Sequence, residues 1–175
     1  MEEIQPKTGK FALNFGVILG ALSIVFALML YSMDMQYEQG WGIFLVNVFI
    51  MAAVIVIGII QFKKANEGFL TLTEGIKVGI GIALVAAIIG VVYQQIFMNL
   101  IEPDFLENIL QVRKAEMIAQ NPNMTQEQIA NAEEMMKKFS GPGISAAIAL
   151  IGGLFIGLVI SLISSLILKK QRPTY

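Results

Sequence analysis

Apolar and polar positions alternate along this chain in long blocks. Phe11 to Met33 runs 23 residues without a charge, and Ile43 to Phe62 runs 20. Ile76 to Ile101 carries a single charge, Lys77, in its first turn, and Ile144 to Leu168 runs 25 residues with none. At a rise of 1.5 Å per residue the last run reaches roughly 37 Å, enough to cross a hydrocarbon core of about 30 Å with some tilt. The pattern predicts four transmembrane helices, over 11–33, 43–62, 76–101 and 144–168. The first run is too long for the apolar region of a signal peptide, and no small-residue cleavage site follows it, so it reads as an uncleaved span.

The connections are short except one. Residues 34–42 form a loop with two acids and the interfacial pair Tyr37 and Trp41. Residues 63–75 are polar, and Thr71 with Glu74, or Thr73 alone, is placed to cap the following helix. Residues 102–143 are the one sizeable polar segment. Asp104 to Gln120 approximates an amphipathic helix, and Asn121 to Met124 breaks it. Thr125 to Gln128 then forms a capping box before Ile129, Ala132, Met136 and Phe139 at helical spacing. The segment is too small for a core of its own and reads as an amphipathic hairpin packed on the span ends or lying at the interface. The expected fold is therefore all-α: one integral membrane domain over residues 1–175, with four transmembrane helices in a four-helix bundle and an extracytoplasmic amphipathic hairpin between the third and fourth.

Within the spans, small residues recur every fourth position. Ala12, Gly16 and Gly20 form one such ladder, and Gly75, Gly79, Ala83 and Ala87 a second. The longest runs through Ser145, Ala149, Gly153, Gly157, Ser161 and Ser165. Such ladders let helix backbones approach closely, and Gly16, Gly20, Gly79, Ala83, Gly153, Gly157 and Ser161 are the expected packing residues. Packing within one chain is favoured over homodimerisation, with the last helix as a seam and the second span as the most lipid-exposed member. Remaining polar groups in the spans are few. Asn14, Gln94 and Gln95 are the candidates for an intramembrane polar cluster, with interhelical hydrogen bonding as the plainer role.

Composition narrows the chemistry. The chain has 175 residues, of which 56% are apolar and 14% charged, with no cysteine, no histidine and a net charge of −1. Disulfides, thiolate chemistry and Cys/His metal sites are excluded. Seven of the ten methionines cluster at one boundary, and gap-filling accounts for them better than a copper(I) site. No nucleophile with its base can be recognised, so no catalytic, cofactor or metal residue is assigned and no cofactor is implied. No Asp, Glu, Lys or Arg lies in the middle of a span, which argues against an autonomous ion-coupled transporter.

Charge also sets an orientation. Lys7, Lys10, Lys63, Lys64, Lys77, Lys169, Lys170 and Arg172 lie on one side of the four spans. Arg113, Lys114, Lys137 and Lys138 lie on the other, all within the long polar segment. The positive-inside rule places both termini in the cytoplasm.

The segment from Gly68 to Gly79 (GFLTLTEGIKVG), the exit Asn99 to Phe105 (NLIEPDF) and the acidic, Met-containing helix Gln126 to Phe139 resemble a bacterial family of small membrane proteins, domain-of-unknown-function family 4199. The resemblance covers nearly the whole chain. It implies four spanning helices in a bacterial inner membrane and no assigned activity. The expected role is accessory or scaffolding, with the hairpin as a contact element. The rival is a small-solute transporter or channel subunit working as an oligomer, with Asn14, Gln94, Gln95 and Ser161 facing a shared pore. Expected partners are the lipid bilayer and a second copy or another membrane protein; nucleic acid is not implied.

Overall fold

The computed structural model describes residues 6–38 and 40–172. Among the described residues six α-helices follow one another: α1 Thr8–Ser32, α2 Trp41–Ala65, α3 Leu72–Ile96, α4 Phe105–Gln120, α5 Gln126–Phe139 and α6 Pro142–Leu168. A π-helical turn, Phe97–Ile101, extends α3. Four of these, with α3 counted through Ile101, are long and apolar enough to cross a membrane. Each begins before its apolar run, and α2 also continues past the end of its run to Ala65. α3 begins at Leu72, where the Thr71 hydroxyl accepts from the Glu74 N–H and the Glu74 carboxylate accepts from the Thr71 N–H. Thr125 and Gln128 make the same reciprocal cap on α5.

α3 is the axis of the bundle. On one side it packs against α1 in parallel. Val85 fills the space a Cβ on Gly16 would need, Ile89 does so at Gly20, and Ala12 meets Gly81. On the other side α3 packs antiparallel to α6: Gly75 lies against Ser165, Gly79 against Ser161, and Gly157 against Ala83. α2 packs against α1, α3 and α6. It contributes Ile55, Ile59 and Phe62, at 0–1% exposure, to a core completed by Leu19, Val78, Ile82 and Leu70. The expectation that the second span is the most exposed member is therefore corrected. The buried residues of α6 are all small (Gly157, Ser161, Ser164 and Ser165); Ile160 and Leu168 pack in part against the core, and most of its other large side chains face outward. Its stripe of Gly and Ser lets the backbone approach but leaves little to inter-digitate.

The end of the bundle carrying the termini is tied together. The turn after α2 puts Glu67 and Gly68 at φ +55° and +82°, the left-handed region that glycine adopts without a Cβ penalty. Leu70 and Lys170 then exchange two backbone hydrogen bonds of 2.8 and 2.9 Å. Lys63 Nζ donates to the Leu168 carbonyl at 2.8 Å, satisfying an end of α6. Arg172 pairs with Glu67 at 3.1 Å and, with Lys170, lies over the Phe69 ring.

Candidate functional site

At the other end the packing changes. The pairing of α3 with α6 proceeds by fours, from Gly75 with Ser165 to Ala83 with Gly157, and its next step would bring Ala87 to Gly153. It does not. A Cβ on Gly153 meets nothing within 4 Å, and the same is true of Gly90 and Gly152. Gly153 is thus removed from the expected packing seam. The ladder has the right residues, but the helices part above Gly157, where Met51 Cε closes the floor 3.0 Å from the position of its added Cβ.

Above that floor lies a cavity of about 380 Å³ between α1, α2, α3 and α6, bordered by Gly90, Gly153, Met51 and Gln94. A second, of about 480 Å³, lies beneath the hairpin, bordered by Ile109, Arg113, Met136 and Phe139 and again by Gln94. A third, of about 190 Å³, borders Gln36, Tyr93 and Phe97, and Gln94 once more. Gln94 is the one polar side chain common to all three, and Ala149 is shared by the first two.

The expected polar cluster is not assembled. Asn14 is exposed and lies seven residues into α1, near the end that carries the termini, whereas Gln94 is near the far end of α3. With Gly16 level with Val85, about 16 Å of helix rise separates the two. Gln95 borders none of these cavities, and its carbonyl accepts from Asn99 Nδ2. Ser161, the fourth residue of the pore reading, is fully buried and donates to the Gly157 carbonyl at 2.5 Å. The side chains of one helix can be placed on a common face by counting, but their height relative to another helix depends on its register.

The hairpin is fastened over this end by contacts that sequence reading missed. Tyr37, in the loop between α1 and α2, donates to Glu102 Oε1 and accepts from Asn108 Nδ2 at 3.0 Å. Its ring stacks on Phe105 with centroids 5.6 Å apart, and Phe105 meets Phe97 edge-on at 5.4 Å. The π-helical turn makes this geometry: the Glu102 N–H reaches back five residues to the Phe97 carbonyl. Donation to the Glu102 carboxylate is the main reason the Tyr37 hydroxyl is held above the usual 10.0. Burial and the carboxylate's charge add to it, and the hydrogen bonds from Asn108 and Gln36 oppose it. The interfacial placement of Tyr37 was the only signal available; nothing local pointed to a partner 65 positions away.

Beyond this latch the hairpin holds itself. Glu133 binds Lys114 of α4 at 2.7 Å and Lys137 of its own helix at 3.0 Å. These two ammonium groups draw its carboxyl down from 4.5 to about 2. Among the described residues no group of three or more acidic side chains could hold a metal ion.

A family model described as "Protein of unknown function (DUF4199)" matches residues 14–170. The chain belongs to this family. No curated protein and no solved structure matches it. Of the three segments that carry the DUF4199 resemblance, Gly68 to Gly79 lies at the tied end, whereas Asn99 to Phe105 and Gln126 to Phe139 lie at the other end, where Phe105, Met136 and Phe139 border the cavities. Gly68 supplies the left-handed turn, Leu70 is buried in the core, Thr71 and Glu74 cap α3, and Gly75 and Gly79 receive Ser165 and Ser161. The residues of Gly68 to Gly79 serve the packing of the helices.

Proposed function

We propose that this DUF4199 protein is an accessory or scaffold protein of the bacterial cytoplasmic membrane, with both termini in the cytoplasm. Its hairpin of α4 and α5 is an interaction element on the outer face. One observation carries this reading: α5 is amphipathic yet buries none of its residues, and Met135 and Phe139 are 60% and 51% exposed. An amphipathic helix that leaves large apolar side chains uncovered on a structure otherwise closed at its base marks a contact surface. The absence of charge in mid-span and the dispersal of Asn14, Gln94 and Ser161 favour this reading over a small-solute transporter or channel subunit.

Photo-crosslinkers placed at Met135 and Phe139 of the intact chain in its native membrane test it, with Phe49 on the outward face of α2 as the control. The hairpin positions should give discrete protein adducts and Phe49 only lipid adducts. Lipid adducts alone at all three positions contradict it. Flux of a solute through liposomes, abolished by Gln94→Leu with Gln95→Leu in a folded protein, would replace it with the transporter reading.

A further inference from the structure

The cleft between α3 and α6 has two ends of different chemistry. Its deep end, at Gly90, Gly153 and Met51, is mostly apolar, with Ser23 and Asn47 also on its border, and holds about 380 Å³ of space. Its upper end lies where α6 begins and holds about 480 Å³ beneath the hairpin, bordered by Ser140, Ser145 and Arg113. Among the described residues, Arg113 is the only charged side chain on that wall and no carboxylate borders it. Arg113 is already engaged within the chain, but a guanidinium carries five N–H donors and can hold a further anionic oxygen. Both cavities have the size of ligand pockets between helices of bundles. Their rims run into the apolar belt: Phe44 beside the lower cavity is 47% exposed and Ile148 beside the upper is 55% exposed.

A gap between spanning helices forfeits dispersion contacts that an inserted hydrocarbon chain restores. We infer that the cleft is a binding site for one anionic glycerophospholipid of the surrounding bilayer, with an acyl chain lying between α3 and α6 past Gln94 and the phosphate at Arg113. The apolar depth, the cationic polar end and the continuity with the lipid-facing belt together select a lipid with a negative head. This inference does not depend on the accessory role.

The intact chain is reconstituted in vesicles of phosphatidylcholine containing a minor share of either phosphatidylglycerol or phosphatidylcholine with a diazirine midway along one acyl chain. Labelled residues are then mapped by mass spectrometry. Label from phosphatidylglycerol should concentrate on residues 83–94 and 149–156, about fivefold above the outward face of α1 and about fivefold above label from phosphatidylcholine. Gly90→Leu with Gly153→Leu fills the open space and should remove that concentration, and Arg113→Gln should equalise the two lipids. Label spread evenly round the belt, equal label from both lipids in the unaltered protein, or undiminished label in the filled variant each overturns the site. If the filled variant does not fold, the distribution and lipid preference in the unaltered protein decide the matter.

Discussion

The Ser161 hydroxyl occupies the space that a Cβ on Gly79 would need. This contact between α6 and α3 fixes how near the two helices come, because no other residue type at position 79 leaves room for it. Ser161 pays its own polar debt within α6 by donating to the Gly157 carbonyl, so the interface needs no cross-helix hydrogen bond there. Two helical turns further on, beyond Gly157, the helices have parted and Gly153 is open. A closed base and an open upper cleft, bridged by the hairpin, are the two halves of the molecule.

The Tyr37 latch gives a pH-dependent prediction. Tyr37→Phe removes the donor to Glu102, whose other oxygen, Oε2, is already buried without a partner. The expected cost is about 1.5 kcal/mol, the low end for a hydrogen bond to a charged group at a half-exposed site. It should appear as faster hydrogen exchange over residues 102–110, with the base of the bundle unchanged. Because the folded pKa of Tyr37 is raised, its contribution is complete below pH 10 and is lost as pH rises through the folded value. Unchanged exchange in Tyr37→Phe would show that ring stacking alone holds the hairpin.

Acid should loosen the hairpin from within. The Glu133 carboxyl is depressed to about 2 by Lys114 and Lys137, so its contribution is full above the unfolded value of 4.5 and is lost as pH falls toward 2. Proteolysis at the 121–125 turn should therefore quicken over that interval, and Glu133→Gln should be fast throughout. The pair is exposed, so 1 M salt at neutral pH should mimic part of the effect. A rate independent of pH in the unaltered chain would remove the ion pairs from the account.

Orientation is tested by accessibility. A reporter fused after Tyr175 should be cytoplasmic, and a tag within residues 121–125 should react with impermeant reagents applied from outside. The reverse pattern would overturn the charge argument and place the hairpin in the cytoplasm.

What could be read from the sequence was what is decided locally. Hydropathy marked four spans, and the Thr71–Glu74 and Thr125–Gln128 spacings marked two helix starts, because a cap and an apolar run each lie within a few residues. The breadth of α3 packing was partly legible, since Gly16, Gly20 and Gly79 announce close approach by their size. What Gly153 meets was not legible. A ladder specifies a face of one helix and leaves the crossing angle open, and that angle decides whether the fourth rung touches. Tyr37 with Glu102, and the π-helical turn that presents Glu102, depend on two distant segments meeting. The role of α2 was misread for a related reason: its β-branched residues suit lipid and core equally, and Ile55 and Ile59 face the core.

The most direct test compares two glycines of the expected seam by unfolding the purified chain in one detergent. Gly79→Leu drives a side chain into Ser161 and should lose about 3 kcal/mol or more, or fail to fold. Gly153→Leu enters open space and should fall within about 1 kcal/mol of the unaltered protein. Equal losses, or a greater loss at Gly153, would contradict a bundle closed at its base and open beneath the hairpin.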